Sequence, residues 1–182
     1  MNPSSTTPLN LNLHGSLRAT RRVFRKLSLP ISVAGAWRAE FAGPQWLRRL
    51  APLGFKLAVL RGWYGKTFDD DGGGLNLVRR NGRLRRITPM QLTIRPSRLD
   101  GGLVIAAQYN EDAPLRLLRV VDEFRSLDND TLLGMMTLDL PALRSLCLPF
   151  LLHRIEPRKN GRHRKPVDAK AVHHYDLRPS ED

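Results

Sequence analysis

A period-two alternation of apolar and polar residues is the main pattern along the middle of the chain. Trp37, Ala39 and Phe41 alternate with Arg38 and Glu40. Such alternation is typical of a strand that buries one face and exposes the other. The sequence therefore predicts that a β-strand opens a folded domain near residue 34.

Turn signals divide the following sequence into further short strands. Asn81-Gly82 is the strongest two-residue hairpin signal in the chain. The other predicted strands are Gly62–Phe68, Leu75–Arg80, Arg83–Ile87, Gln91–Arg98, Leu103–Tyr109, Leu115–Arg125, Thr131–Leu138 and Leu148–Ile155. Short connections require antiparallel pairing, and closure of a meander removes its exposed edges. The pattern predicts a mainly β fold, an antiparallel lipocalin-like barrel of about 8–10 strands.

Helical signals lie before the barrel, in its first connection and in one turn expected at Pro141–Leu146. Apolar residues recur at spacings of three and four between Ser16 and Leu27. This spacing predicts a short amphipathic helix that starts at Ser16, stops before Pro30 and docks on the barrel. Pro44 predicts a second short helix through Leu50, because proline suits the first helical turn.

Composition divides the chain into three parts. We predict a basic N-terminal segment over 1–33, whose first residues are disordered, a barrel domain over 34–156 and a basic mobile tail over 157–182. The hydrophobic content of 41% suits a folded domain. No apolar run is long enough for a transmembrane helix. Cys147 is the single cysteine, so no internal disulfide forms and a cytoplasmic location is expected.

The net charge of +13 predicts an anionic partner or an anionic surface. Five arginines surround the Asn81-Gly82 turn, and they form a basic hairpin made of Arg79, Arg80, Arg83, Arg85 and Arg86. Charge alone fits an anionic lipid surface with a membrane-peripheral location, a phosphate backbone or a solvated hairpin tip. The strands lack the interleaved exposed aromatics that stack bases, which disfavours nucleic acid.

Five stretches of sequence resemble one protein family. They are Gly35–Ala39, Gly62–Phe68, Val121–Arg125, Asp128–Met136 and Pro149–Leu152. Together they resemble the GXWXG-motif proteins of bacteria, which carry a second shared region of unknown function. Ala39 stands where the second glycine of the motif is expected, and Glu123 stands where a histidine is expected. The resemblance implies a lipocalin-like (calycin) barrel and assigns no activity.

Two charged residues are predicted to face the barrel interior. Asp122 falls on the apolar side of its predicted strand, and Lys66 shares a side with Tyr64. An isolated buried charge is costly, so we expect Lys66 and Asp122 to form an ion pair. The pair fits a polar anchor for a ligand, an acid/base pair or a structural contact. The alternative is that Lys66 lies outside and Trp63 turns inward.

The barrel predicts a small-molecule binding protein whose ligand is mostly apolar or amphipathic. The residues predicted to line or plug the cavity are Trp37, Tyr64, Lys66, Tyr109, Asp122, Phe124, Met135 and Met136. The enzymatic alternative is a cofactor-free isomerase, cyclase or hydrolase that uses Lys66 and Asp122. No metal site is predicted, and no cofactor is predicted beyond the alternative of haem bound through His153.

Overall fold

The computed structural model describes residues 13–57, 60–111, 113–115, 117–138 and 147–156, without the side chains of 52–57. The tail predicted over 157–182 and the helical turn expected over 141–146 lie outside these residues. So do residues 1–12 of the stretch 1–15 that was predicted to be disordered. No helix of the described ranges is long and apolar enough to cross a membrane.

Eight antiparallel strands form a closed barrel in the described part of the chain. Each strand pairs with the next, and the last pairs with the first. The elements are α1 (Leu17–Lys26), β1 (Gly35–Phe41), α2 (Gln45–Leu57), β2 (Trp63–Phe68), β3 (Gly73–Arg80), β4 (Arg83–Pro96), β5 (Leu103–Tyr109), β6 (Val120–Ser126), β7 (Thr131–Leu138) and β8 (Cys147–Arg154). The predicted fold class is confirmed.

A single long strand, β4, replaces two predicted strands. Arg83–Ile87 and Gln91–Arg98 were expected to be separate, but they belong to one ladder with β3. Thr88 has a positive φ of 56° and is an extra residue between two cross-strand pairs. Such a β-bulge bends a strand without ending it, so Thr88-Pro89 is a bend rather than a break.

Helix α1 covers the outer face of one side of the barrel. Ser16 caps its N-terminus by accepting a hydrogen bond from the backbone N–H of Ala19, at 3.2 Å. Phe24 is fully buried in an outer cluster with Met135 and Cys147. Arg125 donates a 2.8 Å hydrogen bond to the Phe24 carbonyl, in the last helical turn. The predicted docking of this helix on the barrel is confirmed.

Trp37 seals one end of the barrel interior. This end, called the linker end here, carries the β2–β3, β4–β5 and β6–β7 turns and the segment between α1 and β1. The indole of Trp37 is fully buried and donates a 2.7 Å hydrogen bond to the Val33 carbonyl. The guanidinium carbon of Arg154 lies 4.2 Å from the centre of the indole. Strands β1 and β8 and the segment between α1 and β1, called the linker here, therefore meet at the indole ring of Trp37.

Gly65 allows β1 and β2 to approach closely. A side-chain carbon at this position would overlap the backbone carbonyl oxygen of Trp37, which is paired backbone and has no room to move. Gly65 does not have a positive φ, so its requirement is for space rather than for an unusual backbone conformation.

Gly65→Ala is expected to lower the free energy of unfolding by about 3 kcal/mol or more, because overpacking against backbone is poorly relieved. Gly101→Ala is the matched control: its added carbon meets nothing within 4 Å, but φ is +76°. The control should lose only about 1 kcal/mol from backbone strain. Urea unfolding measures both, and equal losses would contradict the close-approach explanation.

Candidate functional site

A buried polar cluster lies inside the barrel around the ammonium group of Lys66. Nζ of Lys66 is 2.8 Å from Oδ2 of Asp122, and both side chains are fully buried. Nζ also donates to Oδ1 of Asn76 at 3.1 Å and to the hydroxyl of Tyr109 at 3.5 Å. The thioether of Met90 lies 3.7 Å away. The structure thus joins the two charges that sequence alternation placed inside.

A β-bulge in β2 turns both Trp63 and Lys66 inward. The register with β3 shifts between Trp63 and Gly65, so the ordinary alternation is broken there. Trp63 and Lys66 both contact Asn76 on β3. The two alternatives for this strand, Lys66 inside or Trp63 inside, are therefore both realised.

Tyr64 does not line the interior, which corrects the prediction for this residue. Its ring stacks with Arg79, whose guanidinium carbon is 4.5 Å from the ring centre. Arg79 is an exposed residue of the basic hairpin. The bulge explains the error, because it shifts Tyr64 to the face opposite Lys66.

Asn76 organises the cluster, although the sequence analysis did not identify it. Its Oδ1 accepts hydrogen bonds from Nε1 of Trp63, at 3.1 Å, and from Lys66. Its Nδ2 donates to the Tyr109 hydroxyl at 3.0 Å. Because Trp63 and Lys66 are both donors, this orientation of the amide is the one that satisfies all partners.

Asn76 and Met90 are the site residues that sequence reasoning missed, and Trp63 was placed inside only as an alternative to Lys66. Lys66 and Asn76 are cross-strand partners in β2 and β3. Alternation along β3 was the available signal for Asn76. It lies two residues after Gly74 and therefore on the same face, and a side-chain carbon at Gly74 would meet the inward Phe68 ring. An inward amide opposite an inward lysine is a satisfied polar pair. Trp63 and Met90 gave no such signal, because each depends on a bulge in its own strand.

The electrostatics of the cluster keep Lys66 charged and Tyr109 neutral. Burial lowers the pKa of Lys66, but the nearby Asp122 carboxylate and Tyr109 outweigh this, and the pKa is raised above its ordinary value of 10.5. Burial raises the pKa of the Tyr109 hydroxyl above 10.0, with the Asp122 charge adding to the effect. Lys66 is therefore an ammonium beside an un-ionised Tyr109 phenol at neutral pH.

The hydrogen bonding of the Asp122 carboxylate is incomplete among the described residues. Oδ1 of Asp122 is buried and receives no hydrogen bond from any residue that the structure describes. Oδ2 likewise has no hydrogen bond of good geometry from the described residues, but it lies 2.8 Å from Nζ of Lys66 and is compensated by that ion pair. A buried carboxylate oxygen normally accepts a hydrogen bond, since leaving it unsatisfied is costly.

Trp37 plugs the apolar interior beside the linker, although Ile94 and Leu103 on the inward sides of β4 and β5 are 64% and 57% exposed at the rim of that end. The interior is also partly accessible at the other end. This second end, called the α2 end, carries α2, the basic hairpin and the β5–β6 loop. Most inward residues that retain partial exposure lie there, namely Phe41, Trp63, Ile87, Met136, Leu138 and Leu148. Their linker-end counterparts Phe68, Phe124, Leu132 and Leu152 are at most 2% exposed. The accessible surface of the interior is therefore apolar and concentrated at the α2 end.

Connecting segments fold over this accessible region. Leu60, which follows α2, and Ala113 and Leu117 from the β5–β6 loop are buried against the interior cluster. Met136 lies beside both Leu148 and Asp122 in the barrel wall. The accessible apolar surface therefore extends to the residue next to the carboxylate.

Trp37 and Phe124 lie inside, as predicted, but at the sealed part of the interior. Phe124 packs edge-to-face with Phe68 and Phe150, with ring centres 5.6 and 5.9 Å apart. Trp37 plugs the linker end. These two side chains therefore build the floor and sides of the interior rather than its accessible region.

The two adjacent methionines face opposite sides of the barrel wall. Met136 packs against the interior cluster, whereas Met135 is buried in the outer cluster beneath α1. The prediction that Met135 lines the cavity is wrong, because neighbouring residues of a strand point to opposite faces.

His153 also faces outward. It pairs across the ladder with Arg38, and its Nε2 lies 3.3 Å from a carboxylate oxygen of Glu40. The haem alternative required this side chain to face the interior, and the structure places it on the outer surface. Among the described residues, no group of three His, Cys, Asp or Glu side chains is arranged to hold a metal ion.

A surface pocket at the linker end is separate from the polar cluster. It measures about 540 Å³ and lies between the segment 26–32, the β6–β7 turn and Arg154 at the linker end. Trp37 and its neighbours lie between this pocket and Lys66. It is an open groove with mixed lining, and it contains none of the residues predicted to bind a ligand.

The basic hairpin projects into solvent at the α2 end. The two strands are joined by Asn81 and Gly82, which both have positive φ. Arg80, Arg83, Arg85 and Arg86 are exposed, and Leu84 between them is 48% exposed. Asn-Gly therefore forms the predicted two-residue turn.

Comparison with known proteins identifies the fold and no family. No family model and no curated protein matches the sequence. A crystal structure of a protein from Thermomonospora curvata is similar in fold, with a TM-score of 0.59 and 22% identity. The alignment covers 78% of this chain and 90% of that one. The resemblance to the GXWXG-motif proteins stays a prediction.

Stability is expected to fall as the pH rises above about 10. The pKa values of Lys66 and Tyr109 are raised on folding above their ordinary 10.5 and 10.0. The folded state therefore binds these protons more tightly, so their contribution is complete below pH 10 and is lost through the folded-state pKa values.

Urea unfolding between neutral and alkaline pH measures this effect. Tyr109→Phe should make the alkaline decline shallower, because one of the two protons is removed. Met135→Leu, a change of similar volume in the outer cluster, should keep the decline of the unmodified protein. An unchanged decline in the Tyr109 variant would contradict the assignment.

Proposed function

We propose that the protein binds a small, mostly apolar molecule inside the α2-end half of its barrel. The observation that carries this proposal is the group of inward apolar side chains that remain partly exposed around Met136. Protein interiors are closely packed, so a group of inward apolar side chains that keeps partial exposure marks the α2 end as a place where a ligand enters. A polar cluster at the inner limit of this region supplies an anchor that orients a ligand.

Binding is favoured over catalysis by the charge state of the cluster. A general base needs a pKa near the working pH. The pKa of Lys66 is raised, so at neutral pH it is an ammonium, which has no lone pair to act as a base and is a weak proton donor. The isomerase, cyclase or hydrolase alternative is therefore the weaker reading of the same residues.

Native mass spectrometry of freshly purified protein and uptake of the neutral dye Nile red test the proposal. Met136→Trp should fill the accessible region and weaken dye binding about tenfold or more, since a bulky ring would occupy the ligand's space. Leu103→Trp is the matched control. Leu103 is 57% exposed at the rim of the linker end, so its change adds the same ring at the end of the barrel opposite Met136.

Equal dye binding by the Met136 and Leu103 variants would contradict an interior site. Absence of both a retained molecule and dye uptake in the unmodified protein would remove the proposal altogether. Circular dichroism confirms that each variant remains folded.

A second candidate function is attachment to an anionic lipid surface through the basic hairpin. The exposed Leu84 among four exposed arginines favours it, since an apolar side chain within a basic tip suits the headgroup region. The hairpin lies at the same end as the accessible interior, so attachment would present that end to the lipid. In this proposal the protein is peripheral to a membrane in the cytoplasm.

Co-sedimentation with phosphatidylserine-containing vesicles tests the lipid candidate. Combined Arg83→Gln, Arg85→Gln and Arg86→Gln should weaken binding by about 1 kcal/mol for each arginine. Combined Arg18→Gln, Arg22→Gln and Lys26→Gln on the exposed side of α1 removes the same charge elsewhere and should have less effect. Equal effects, or binding insensitive to salt, would contradict a hairpin-specific lipid site.

A further inference from the structure

We infer that the molecule bound in the barrel ends in an uncharged group that both donates and accepts hydrogen bonds, such as a hydroxyl or a primary amide. This inference rests on the proposed binding function and names the chemistry of its ligand. It follows from the hydrogen-bonding capacity that remains at Asp122 and Tyr109.

The charges of the cluster already neutralise each other. Nζ of Lys66 contacts Asp122, Asn76 and Tyr109, so its three donor positions are engaged within the cluster. A ligand carboxylate would meet no free cation there, and it would face the Asp122 carboxylate. A ligand ammonium would bring a second positive charge beside Lys66. Either charge would be buried without a partner of its own, which is unfavourable.

Asp122 requires a donor from the ligand. Its Oδ1 is buried and receives no hydrogen bond from the described residues. Met136, which neighbours Asp122 in the barrel wall, belongs to the partly exposed apolar region. A molecule whose apolar part lies along Met136 therefore brings its polar end to the unsatisfied oxygen.

Tyr109 supplies the complementary half of the contact. Its hydroxyl oxygen accepts hydrogen bonds from Asn76 and Lys66. The hydroxyl proton has no acceptor among these partners, so it is free to donate to a ligand oxygen. A hydroxyl or primary amide satisfies Asp122 with its hydrogen and Tyr109 with its oxygen. An ester or a ketone satisfies only Tyr109.

Competition against Nile red with compounds of one chain length tests this inference at neutral pH. The series is decanol, decanamide, decanoate, decylammonium and methyl decanoate. Decanol and decanamide should displace the dye at concentrations about tenfold lower than the other three, because only they complete both hydrogen bonds. Methyl decanoate is the matched neutral control, since it lacks the donor and keeps the acceptor.

Two variants of the protein link the preference to the cluster. Tyr109→Phe removes one hydroxyl. It should reduce the ratio between the concentrations of methyl decanoate and of decanol that displace the dye. The combined Lys66→Met and Asp122→Leu change should abolish the difference between the two compounds while dye binding persists. If the combined variant does not fold, the Tyr109 variant still decides the question.

The outcomes separate this inference from the proposed function. If the dye binds and decanoate or decylammonium displaces it best, the inference of a neutral group is overturned and the proposed binding function stands. A preference for decanol that is unchanged in both variants would place the head group elsewhere and also overturn the inference. Failure of every compound and of the dye to bind would overturn the inference together with the function.

Discussion

The buried ion pair between Lys66 and Asp122 is the constraint around which the barrel interior is organised. Two charges inside an apolar barrel are tolerated only if each has close partners. Those partners come from five different strands: Lys66 from β2, Asn76 from β3, Met90 from β4, Tyr109 from β5 and Asp122 from β6. A shift of one residue in any of these strands would turn its contribution to the opposite face. The contacts of the cluster therefore form only when these five of the eight strands are paired in the observed register.

The two halves of the barrel interior differ along the barrel axis in how their side chains pack. The half around Trp37 and Phe124 is filled by interlocking aromatic rings and sealed by the linker. The half around Met136 is lined by side chains that retain exposure. Rigid packing in one half holds the strands, and the polar cluster marks the boundary between the two. A site supported in this way is preorganised by packing outside itself.

Alternation and turn signals were sufficient to predict the barrel, α1, the Asn81-Gly82 hairpin and the inward placement of Lys66 and Asp122. Two of the failures come from a departure from strict alternation, whereas Met135 was misplaced because strict alternation, which turns it away from Met136, was not applied to it. The bulge beside Trp63 exchanged the sides of Tyr64 and Trp63, and the bulge at Thr88 joined two predicted strands. Both depend on tertiary pairing that no local pattern encodes. Asn76 was missed because its role follows from its cross-strand partner Lys66, and this pairing cannot be seen in the local sequence.

The meeting of Trp37 with Arg154 has a consequence for how the barrel assembles. Every other strand pair joins neighbours along the chain, whereas this contact joins residues at the two ends of the domain. Hairpins between neighbouring strands form with little loss of chain entropy, but the β1–β8 pairing must enclose the whole intervening chain. The indole therefore acquires its guanidinium neighbour only in molecules whose barrel has closed, so this contact depends on closure and not on the formation of any one hairpin.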